Sequence, residues 1–192
     1  MQRRELLSQG FRFGALALLS LGARAQPAQA LGGTLPALGQ AAPAFSLDGV
    51  APGPNGDAQP TRLKLGDLAG SWVILYFYPK DFTSGCTLEA RGFQRDLASF
   101  RAAGAQVIGV SADDPDQHAS FCGSEGLTYP LLSDPGGMVS KAYGSWIPPF
   151  SQRHSFLIDP QGLLQASWTG VRPAGHSQDV LAELVRLQEQ RT

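Results

Sequence analysis

The chain has 192 residues, which suits one domain of ordinary size with extra sequence at one end. Its apolar fraction of 43% supports a packed core, and its formal net charge is −1. Because Lys and Arg are scattered rather than clustered, the composition excludes an extended phosphate-binding surface, and no nucleic acid partner is expected.

Residues 1–25 have the layout of a secretory signal peptide. Arg3, Arg4 and Arg12 come before an apolar run of 11 residues, which is too short to span a bilayer comfortably, and Ala-Arg-Ala then supplies a cleavage site. The alternative is an N-terminal amphipathic helix. The Arg3-Arg4 pair followed by leucines suggests the twin-arginine export route, although the full consensus is absent.

We therefore expect an exported protein, located in the periplasm or, in a photosynthetic source, in the thylakoid lumen. Removing residues 1–25 takes away four arginines and one glutamate, so 11 basic and 15 acidic residues remain, a net charge of −4. No cysteine lies near the cleavage site, so no membrane anchor is expected. An oxidising compartment permits disulfides, so a permanent bond between the two cysteines, Cys86 and Cys122, is one interpretation.

Residues 26–44 are rich in Ala, Gly, Pro and Gln and are predicted to form a linker or a loosely docked N-terminal arm before a domain at 45–192. The domain opens with two short strand candidates, AFSLDGV and RLKLGDL. The segment APGPNGDAQP between them is turn-forming throughout and predicts a flexible loop. The run WVILYFY, Trp72 to Tyr78, is apolar on both faces and predicts a central buried strand that Pro79 ends.

Helix and strand patterns then alternate. A first helix begins near Cys86, and a second buried strand, AQVIGVSA, leads to a helix that starts at Asp114-Pro115 and ends at Gly126. The segments YPLLSD and GGMVSKAYG predict a short strand and a short helix. A hairpin over HSFLIDPQGLLQASWTG and a final helix over about 178–190 complete the chain. This order predicts an α/β fold with a central mixed sheet and helices on both faces.

Cys86 lies where the buried strand gives way to a helix. Backbone N–H groups and the positive end of the helix dipole favour an anion at this place, which suits a thiolate. The Thr83 hydroxyl can donate a hydrogen bond to a sulfur or to a substrate oxygen, and Gly85 permits a close approach of the backbone. Glu89, one turn later, is placed to bond back to the loop. Together these features favour a reactive cysteine over a structural one.

The segment YFYPKDFTSGCTLEA resembles the active-site segment of the Q-type peroxiredoxins, also called bacterioferritin comigratory proteins. Their pattern Pro-x-x-x-Thr-x-x-Cys is matched by Pro79, Thr83 and Cys86. The segments LGQAAPAFSL, YPLLSDPGG, KAYGSW and RHSFLIDPQG resemble further parts of the family in the same order. The resemblance implies a thioredoxin-like fold and a thiol-dependent peroxidase.

The resemblance also implies a role for each matched residue. Cys86 is the expected peroxidatic cysteine, whose thiolate attacks the O–O bond of hydrogen peroxide or an organic hydroperoxide and becomes a sulfenic acid. Thr83 is expected to hold the peroxide, and Pro79 to shield the thiolate. Arg153 is expected beside the sulfur, where a guanidinium stabilises negative charge, with Glu89 positioning it. No cofactor is implied, and the cysteines and histidines show no metal-ligand spacing.

One position departs from the family pattern. Many Q-type members carry a resolving cysteine five residues after the peroxidatic one, where this chain has Arg91. The segment FCGSEGL instead resembles a segment of the atypical two-cysteine thiol peroxidases, which implies an intramolecular Cys86–Cys122 disulfide that a thioredoxin-like donor reduces. His118, one turn before Cys122, either tunes that thiol or is an exposed helix residue.

Three alternatives to a two-cysteine peroxidase remain. The disulfide is permanent and structural, or the protein is a thioredoxin-fold redox sensor that oxidises a partner, or it is a one-cysteine peroxiredoxin in which Cys122 is a bystander. The resemblance and an intramolecular disulfide together favour a monomer. The apolar loop at 146–150, just before Arg153, is predicted to border the peroxide pocket and to favour bulky hydroperoxides.

Overall fold

The computed structural model describes residues 28–191, so the predicted signal peptide at 1–25 lies outside the described residues. No helix in the described range is long and apolar enough to cross a membrane. The helices are α1 (Ser84–Ala102), α2 (Pro115–Glu125), α3 (Met138–Ala142) and α4 (His176–Glu189). The strands are β1 (Gln29–Ala30), β2 (Gly33–Thr34), β3 (Ser46–Pro52), β4 (Ala58–Lys64), β5 (Trp72–Phe77), β6 (Ala105–Ser111), β7 (Leu131–Ser133), β8 (Trp146–Ile147), β9 (Phe150–Ser151), β10 (His154–Ile158) and β11 (Leu164–Trp168).

Seven strands form one mixed sheet in the order β11-β10-β5-β6-β7-β3-β4. The central strands β5, β6 and β7 are parallel, and antiparallel pairs extend the sheet on both sides. The two parallel connections run through α1 and α2, which share one face because such crossovers keep one hand. α4 packs on α1, whereas α3 lies on the opposite face. The predicted mixed sheet with helices on both faces is confirmed.

The central strand β5 is buried on both faces because its side chains alternate between two cores. Ile74 and Tyr76 point into a cluster shared with α1, α2 and α4. Leu75 and Phe77 point into a second cluster shared with α3 and the N-terminal segment. Burying each such side chain stabilises the fold by about 1.5–3 kcal/mol. This double core fixes the end of β5, where the candidate site begins.

Two predictions before β5 are corrected. The segment at 51–60 is not a flexible loop throughout, because β3 and β4 extend into it and pair as far as Pro52 and Ala58. A short turn connects the strands, in which the Gly53 N–H donates to the Asp57 carbonyl at 2.7 Å. The second strand candidate is also shorter than predicted, since Leu65–Leu68 form a 3-10 helix.

Residues 28–44 lie against the domain as an arm. The arm contains the small hairpin of β1 and β2, and Leu35 and Ala42 are buried. The Ala42 N–H donates to the Gly162 carbonyl at 2.9 Å, so the arm is hydrogen-bonded to the turn before β11. The segment at 146–150, which was predicted to be a loop, is instead a hairpin formed by β8 and β9.

Candidate active site

The site is built where β5 ends and α1 begins. Thr83 has an extended backbone (φ −88°, ψ 144°) and is the N-cap residue of α1, which makes Cys86 the third residue of the helix. The Thr83 hydroxyl donates to the Lys80 carbonyl at 3.0 Å and does not cap the helix. The first turn of α1 therefore offers its partial positive charge to an anion at Cys86.

The Cys86 sulfur is buried and lies against a guanidinium. Cys86 is 1% exposed, and Arg153 Nη2 donates to its Sγ at 3.3 Å. The register of the sheet brings the two residues together, because β10 is antiparallel to β5 and His154 lies opposite Phe77. Arg153, one residue earlier, thus reaches the loop that follows β5. A fixed guanidinium at this distance is placed to stabilise negative charge that develops on the sulfur or on an oxygen beside it.

Glu89 holds the same guanidinium from its other side. Arg153 Nη1 donates to Glu89 Oε2 at 2.5 Å, and the Glu89 side chain is fully buried. Burial raises the pKa of Glu89 to about 7, although the Arg153 charge acts to lower it. Burial acts to lower the pKa of Arg153, but the charges of Glu89 and Cys86 outweigh it and raise that pKa. Arg153 therefore stays charged whichever state Glu89 adopts.

Other predicted site residues lie in the segment between β5 and Cys86. Pro79 is partly buried at the start of the loop, and Thr83 is exposed, with its hydroxyl turned to a backbone carbonyl. Gly85 leaves room for the guanidinium, since a Cβ there would lie 3.2 Å from Arg153 Nη2. Phe82 has a φ of 59°, which makes it the one non-glycine residue within 28–191 in the left-handed region.

Cys122 has different surroundings near the end of α2. It is 5% exposed, and its carbonyl accepts hydrogen bonds from the N–H groups of Gly126 and Leu127, which close the helix. Burial, and after it the Asp81 carboxylate, raise the pKa of Cys122 to about 12. Both cysteines are free thiols, so the structure is that of the dithiol form, and both border the same core cluster.

The Cys86 segment contacts α2 at two places. The Phe82 ring packs edge-on against the Phe121 ring, with centroids 5.1 Å apart. Arg91 Nε donates to Glu125 Oε2 at 2.5 Å. Arg91, at the position where many Q-type members have a cysteine, thus joins α1 to the last residue of the helix that carries Cys122.

A buried polar network beside the loop was missed by the sequence analysis. His118 is 0% exposed, so its interpretation as an exposed helix residue is wrong. Its Nδ1 lies 2.8 Å from Asp81 Oδ2 and 3.4 Å from the Tyr78 hydroxyl, which donates to Asp81 Oδ1 at 2.8 Å. The sequence signal that His118 lies near Cys122 is its spacing, because it comes four residues earlier and therefore shares the same helix face. Within 28–191 no group of three His, Cys, Asp or Glu side chains is placed to hold a metal ion.

With this geometry described, comparisons with known proteins give the family. The AhpC/TSA family matches residues 38–167. The chain belongs to the AhpC/TSA family. Peroxiredoxin Bcp of Xanthomonas campestris is 38% identical over 133 residues, covering 65% of this chain and 82% of that protein. The chloroplastic peroxiredoxin Q of Populus jackii is 34% identical over 153 residues, covering 78% of this chain and 68% of that protein. The resemblance to Q-type peroxiredoxins, and with it the thiol peroxidase class, is confirmed.

Solved structures place this peroxiredoxin in the same fold family. The Xanthomonas campestris peroxiredoxin Q superposes with a TM-score of 0.66 at 34% identity, covering 74% of this chain and 90% of that chain, so the thioredoxin-like fold is confirmed. Another structure of that protein is described as a trapped intermediate/ligand complex that gives insight into its alkyl peroxide reduction activity. Two more are cysteine-to-serine variants at its positions 48 and 84, which are 36 residues apart, as are Cys86 and Cys122.

Proposed function

We propose that this peroxiredoxin reduces hydroperoxides in a two-cysteine cycle, in which Cys86 attacks the peroxide and Cys122 resolves the product. The observation that carries the first step is the contact between the buried Cys86 sulfur and the Arg153 guanidinium. The thiolate attacks one peroxide oxygen and the O–O bond breaks. The leaving oxygen takes a proton and departs as water or an alcohol, and Cys86 becomes a sulfenic acid.

The surrounding residues have distinct tasks in this step. Arg153 stabilises the negative charge as it moves from the sulfur to the leaving oxygen, and Glu89 fixes the guanidinium in place. The Thr83 hydroxyl donates its hydrogen bond to the Lys80 carbonyl, so the lone pairs of its oxygen are left to accept one. We propose that the Thr83 oxygen accepts a hydrogen bond from the O–H group of the bound peroxide. Pro79, partly buried at the entrance to the loop, shields the sulfur from water.

The second step joins the two cysteines and releases water. Three observations support Cys122 as the partner: it is free, its helix contacts the Cys86 segment twice, and a related peroxiredoxin Q has cysteines with the same spacing. A disulfide requires Cα atoms within about 7 Å of each other. If the two Cα atoms lie farther apart than this in the dithiol form, the segments unwind locally, and Gly123 and Gly126 make this easier in α2 beyond His118.

Mass spectrometry under non-reducing conditions tests the cycle directly. One equivalent of hydroperoxide should remove both thiols and yield a peptide pair that contains Cys86 and Cys122, and a dithiol reductant should restore both thiols. Thiols that never react would contradict the proposal. A stable Cys86 sulfenic acid with Cys122 still free would support the one-cysteine alternative, and rapid oxidation of the protein without sustained peroxide turnover would support a redox sensor.

The substrate preference is proposed from the β8–β9 hairpin that comes just before Arg153. Ile147 and Phe150 are 39% and 42% exposed in this hairpin, which ends two residues before Arg153. We propose that these side chains form an apolar border of the peroxide pocket. We propose that the border favours organic hydroperoxides over hydrogen peroxide, an activity that agrees with the alkyl peroxide reduction of the Xanthomonas relative. Equal kcat/KM values for hydrogen peroxide and cumene hydroperoxide would contradict this preference.

We further propose that the protein is exported, works as a monomer and is reduced by a thioredoxin-like dithiol protein of the same compartment. The signal-like segment at 1–25 supports export to the periplasm or to a thylakoid lumen. An intramolecular disulfide needs no second copy of the chain, which supports the monomer. Cell fractionation with detection of the cleaved N-terminus, and sizing of both redox forms by light scattering, test these points.

A further inference from the structure

Near the site, within residues 28–191, the buried side-chain atoms without a hydrogen-bond partner are Glu89 Oε1, both ring nitrogens of His154 and Nε2 of His118. Among the described residues, Nε2 of His118 makes no hydrogen bond, although the side chain is fully buried. Buried polar atoms are normally paired, so an unpaired imidazole nitrogen on the helix that carries Cys122 needs an explanation. We propose that His118 is the base that takes the proton of Cys122 when the disulfide forms, and that Asp81 orients it. This inference rests on the proposed role of Cys122.

The contacts of the imidazole fix which nitrogen is free to act. Nδ1 lies 2.8 Å from Asp81 Oδ2. A carboxylate at Nδ1 keeps the proton of the neutral ring on that nitrogen, and Nε2 then presents its lone pair. A carboxylate orients the histidine in the same way in enzymes where histidine activates a cysteine or serine.

Asp81 is itself held firmly, so the orientation of His118 is well defined. Its Oδ1 accepts from the Tyr78 hydroxyl at 2.8 Å, and its backbone N–H donates to Asp113 Oδ2 at 2.9 Å. Asp113 also accepts from the Ser111 hydroxyl at 2.7 Å. The titratable groups around the imidazole are therefore Tyr78 after β5, Asp81 in the loop, Asp113 behind it, and Cys122 on the same helix.

Cys122 requires a base because it is a poor nucleophile at rest. Its pKa is raised to about 12, whereas the thiolate is the form that attacks. At pH 7 the thiolate fraction would be on the order of 10⁻⁵. His118 is one turn earlier on α2, so the Cβ atoms of the two residues are about 5–6 Å apart on one face. Burial, and after it the Asp81 carboxylate, thus keep the resting thiol protonated, and the same carboxylate orients the base.

The resolving step balances without any outside reagent. The Cys122 proton moves to His118 Nε2, and the Cys122 sulfur attacks the sulfur of the Cys86 sulfenic acid. The S–O bond breaks, and the leaving hydroxide takes the proton from Nε2 and departs as water. The Cys122 sulfur is oxidised and the Cys86 sulfur is reduced by the same electron pair. His118 is placed for this step because its bond to Asp81 joins α2 to the loop before Cys86.

The variant His118→Asn separates a base from a mere structural link. An asparagine amide N–H can replace Nδ1–H as the donor to Asp81, but it offers no counterpart to Nε2. Stopped-flow fluorescence would follow sulfenic acid formation and then disulfide formation. We expect the second phase to slow by about 10²-fold, and its rate to rise about tenfold for each pH unit while the wild-type rate levels off. Wild-type rate and pH profile in this variant would overturn the inference.

Two controls keep this inference distinct from the proposed function. Ser120→Ala, on the exposed side of the same turn of α2, should leave both phases unchanged. Cys122→Ser should abolish the second phase. If the wild-type protein has no second phase, the two-cysteine cycle itself fails. If the phase exists, needs Cys122 and is unaffected by His118→Asn, only the inference on His118 fails.

A measurement on the unmodified protein covers the case in which His118→Asn does not fold. Proton transfer in the resolving step predicts that the second phase is slower in D₂O by about twofold or more, because general-base catalysis moves a proton in the transition state. The first phase in the same trace serves as the internal reference. Identical rates for the second phase in H₂O and D₂O would overturn the inference.

Discussion

The surroundings of Cys86 and Cys122 differ in almost every respect that affects a thiol. Cys86 lies in the first turn of α1, at the positive end of the helix dipole, and accepts a hydrogen bond from Arg153. Cys122 lies in the last turn of α2, at the negative end, and burial, followed by the Asp81 carboxylate, raises its pKa. Position within a helix and the sign of one neighbour thus give two equally buried cysteines opposite chemistry.

Burial alone therefore does not decide the reactivity of a thiol. Both sulfurs are buried, but only Cys86, which attacks first in the proposed cycle, accepts a hydrogen bond from the Arg153 guanidinium. The thiol that is to attack second is better left protonated, since a thiolate at Cys122 would also react with peroxide or other oxidants. The contrast therefore assigns an order to the two chemical steps.

Replacing each cysteine in turn should change peroxide turnover more than any other substitution considered below. Cys86→Ser should lower peroxide turnover by about 10³-fold or more, because the nucleophile is lost. Cys122→Ser should still consume one equivalent of peroxide and then stop with a thioredoxin-like donor. Peroxide consumption measured over one and over many turnovers distinguishes the two variants. Sustained turnover in Cys86→Ser would contradict the assignment.

Removing the positive charge at Cys86 should make the two thiols more alike. Arg153→Met is expected to slow sulfenic acid formation by about 10²–10³-fold. The loss of one hydrogen-bond donor to a developing oxyanion has an effect of about this size in other enzymes. Arg153→Lys keeps the charge but loses the fork that contacts both Glu89 and Cys86, so it should have an intermediate rate. Stopped-flow measurement of the first phase gives both values, and an unchanged rate in Arg153→Met would refute the role of the guanidinium.

Glu89 should make the stability of the domain depend on pH. Its pKa is raised from 4.5 to about 7 in the folded state, so the protonated acid is favoured there. The contribution is fully present below pH 4.5 and is lost as pH rises to 7, by about 3 kcal/mol in the free energy of unfolding. Urea unfolding at pH 4.5 and 7.5 should show this difference in the wild type and not in Glu89→Gln. Parallel pH dependence in the two proteins would contradict it.

Breaking the contact between the two cysteine segments should have the smallest effect. The Arg91–Glu125 ion pair is largely solvent-exposed on the arginine side, with 65% of that side chain accessible. Such pairs contribute at most about 1 kcal/mol, so Arg91→Ala should change the free energy of unfolding by less than that. Disulfide formation should accelerate by no more than about fivefold, because this pair restrains α2 only weakly. A larger acceleration would show that the pair controls the opening of α2.

The sequence predicted those parts of the fold that local patterns determine. Strand β5 was evident because both of its faces are apolar, and α2 because Asp114 caps it and Gly126 ends it in the left-handed conformation. The turn-rich segment before β5 misled because Pro60 lies in the edge strand β4, where a missing N–H donor is tolerated. Local composition therefore underestimated a hairpin that its long-range pairing with β7 stabilises.

The site was predictable only where a motif carried it. Cys86 was identified by its place between strand and helix, but Arg153, 67 residues away, is brought to it by the register of β10 against β5, which no local pattern reveals. The bond between Asp81 and His118 spans 37 residues and was missed for the same reason. Arg153 was predicted only from the resemblance, because the family motif includes the arginine that this register brings to the cysteine. For His118 the spacing from Cys122 was the one local signal, and that spacing does not reveal the contact with Asp81.

The backbone of Phe82 has a consequence for redox balance. A non-glycine residue with a positive φ costs about 1–2 kcal/mol, and this cost is present in the dithiol form. If the loop relaxes when the disulfide forms, that free energy makes the disulfide harder to reduce, by about 20 mV per kcal/mol. Phe82→Gly should therefore have a less negative reduction potential than Phe82→Ala, which also lacks the ring but keeps the Cβ. Equilibration of both variants with dithiothreitol would measure how far this one backbone angle shifts the reduction potential that the electron donor must match.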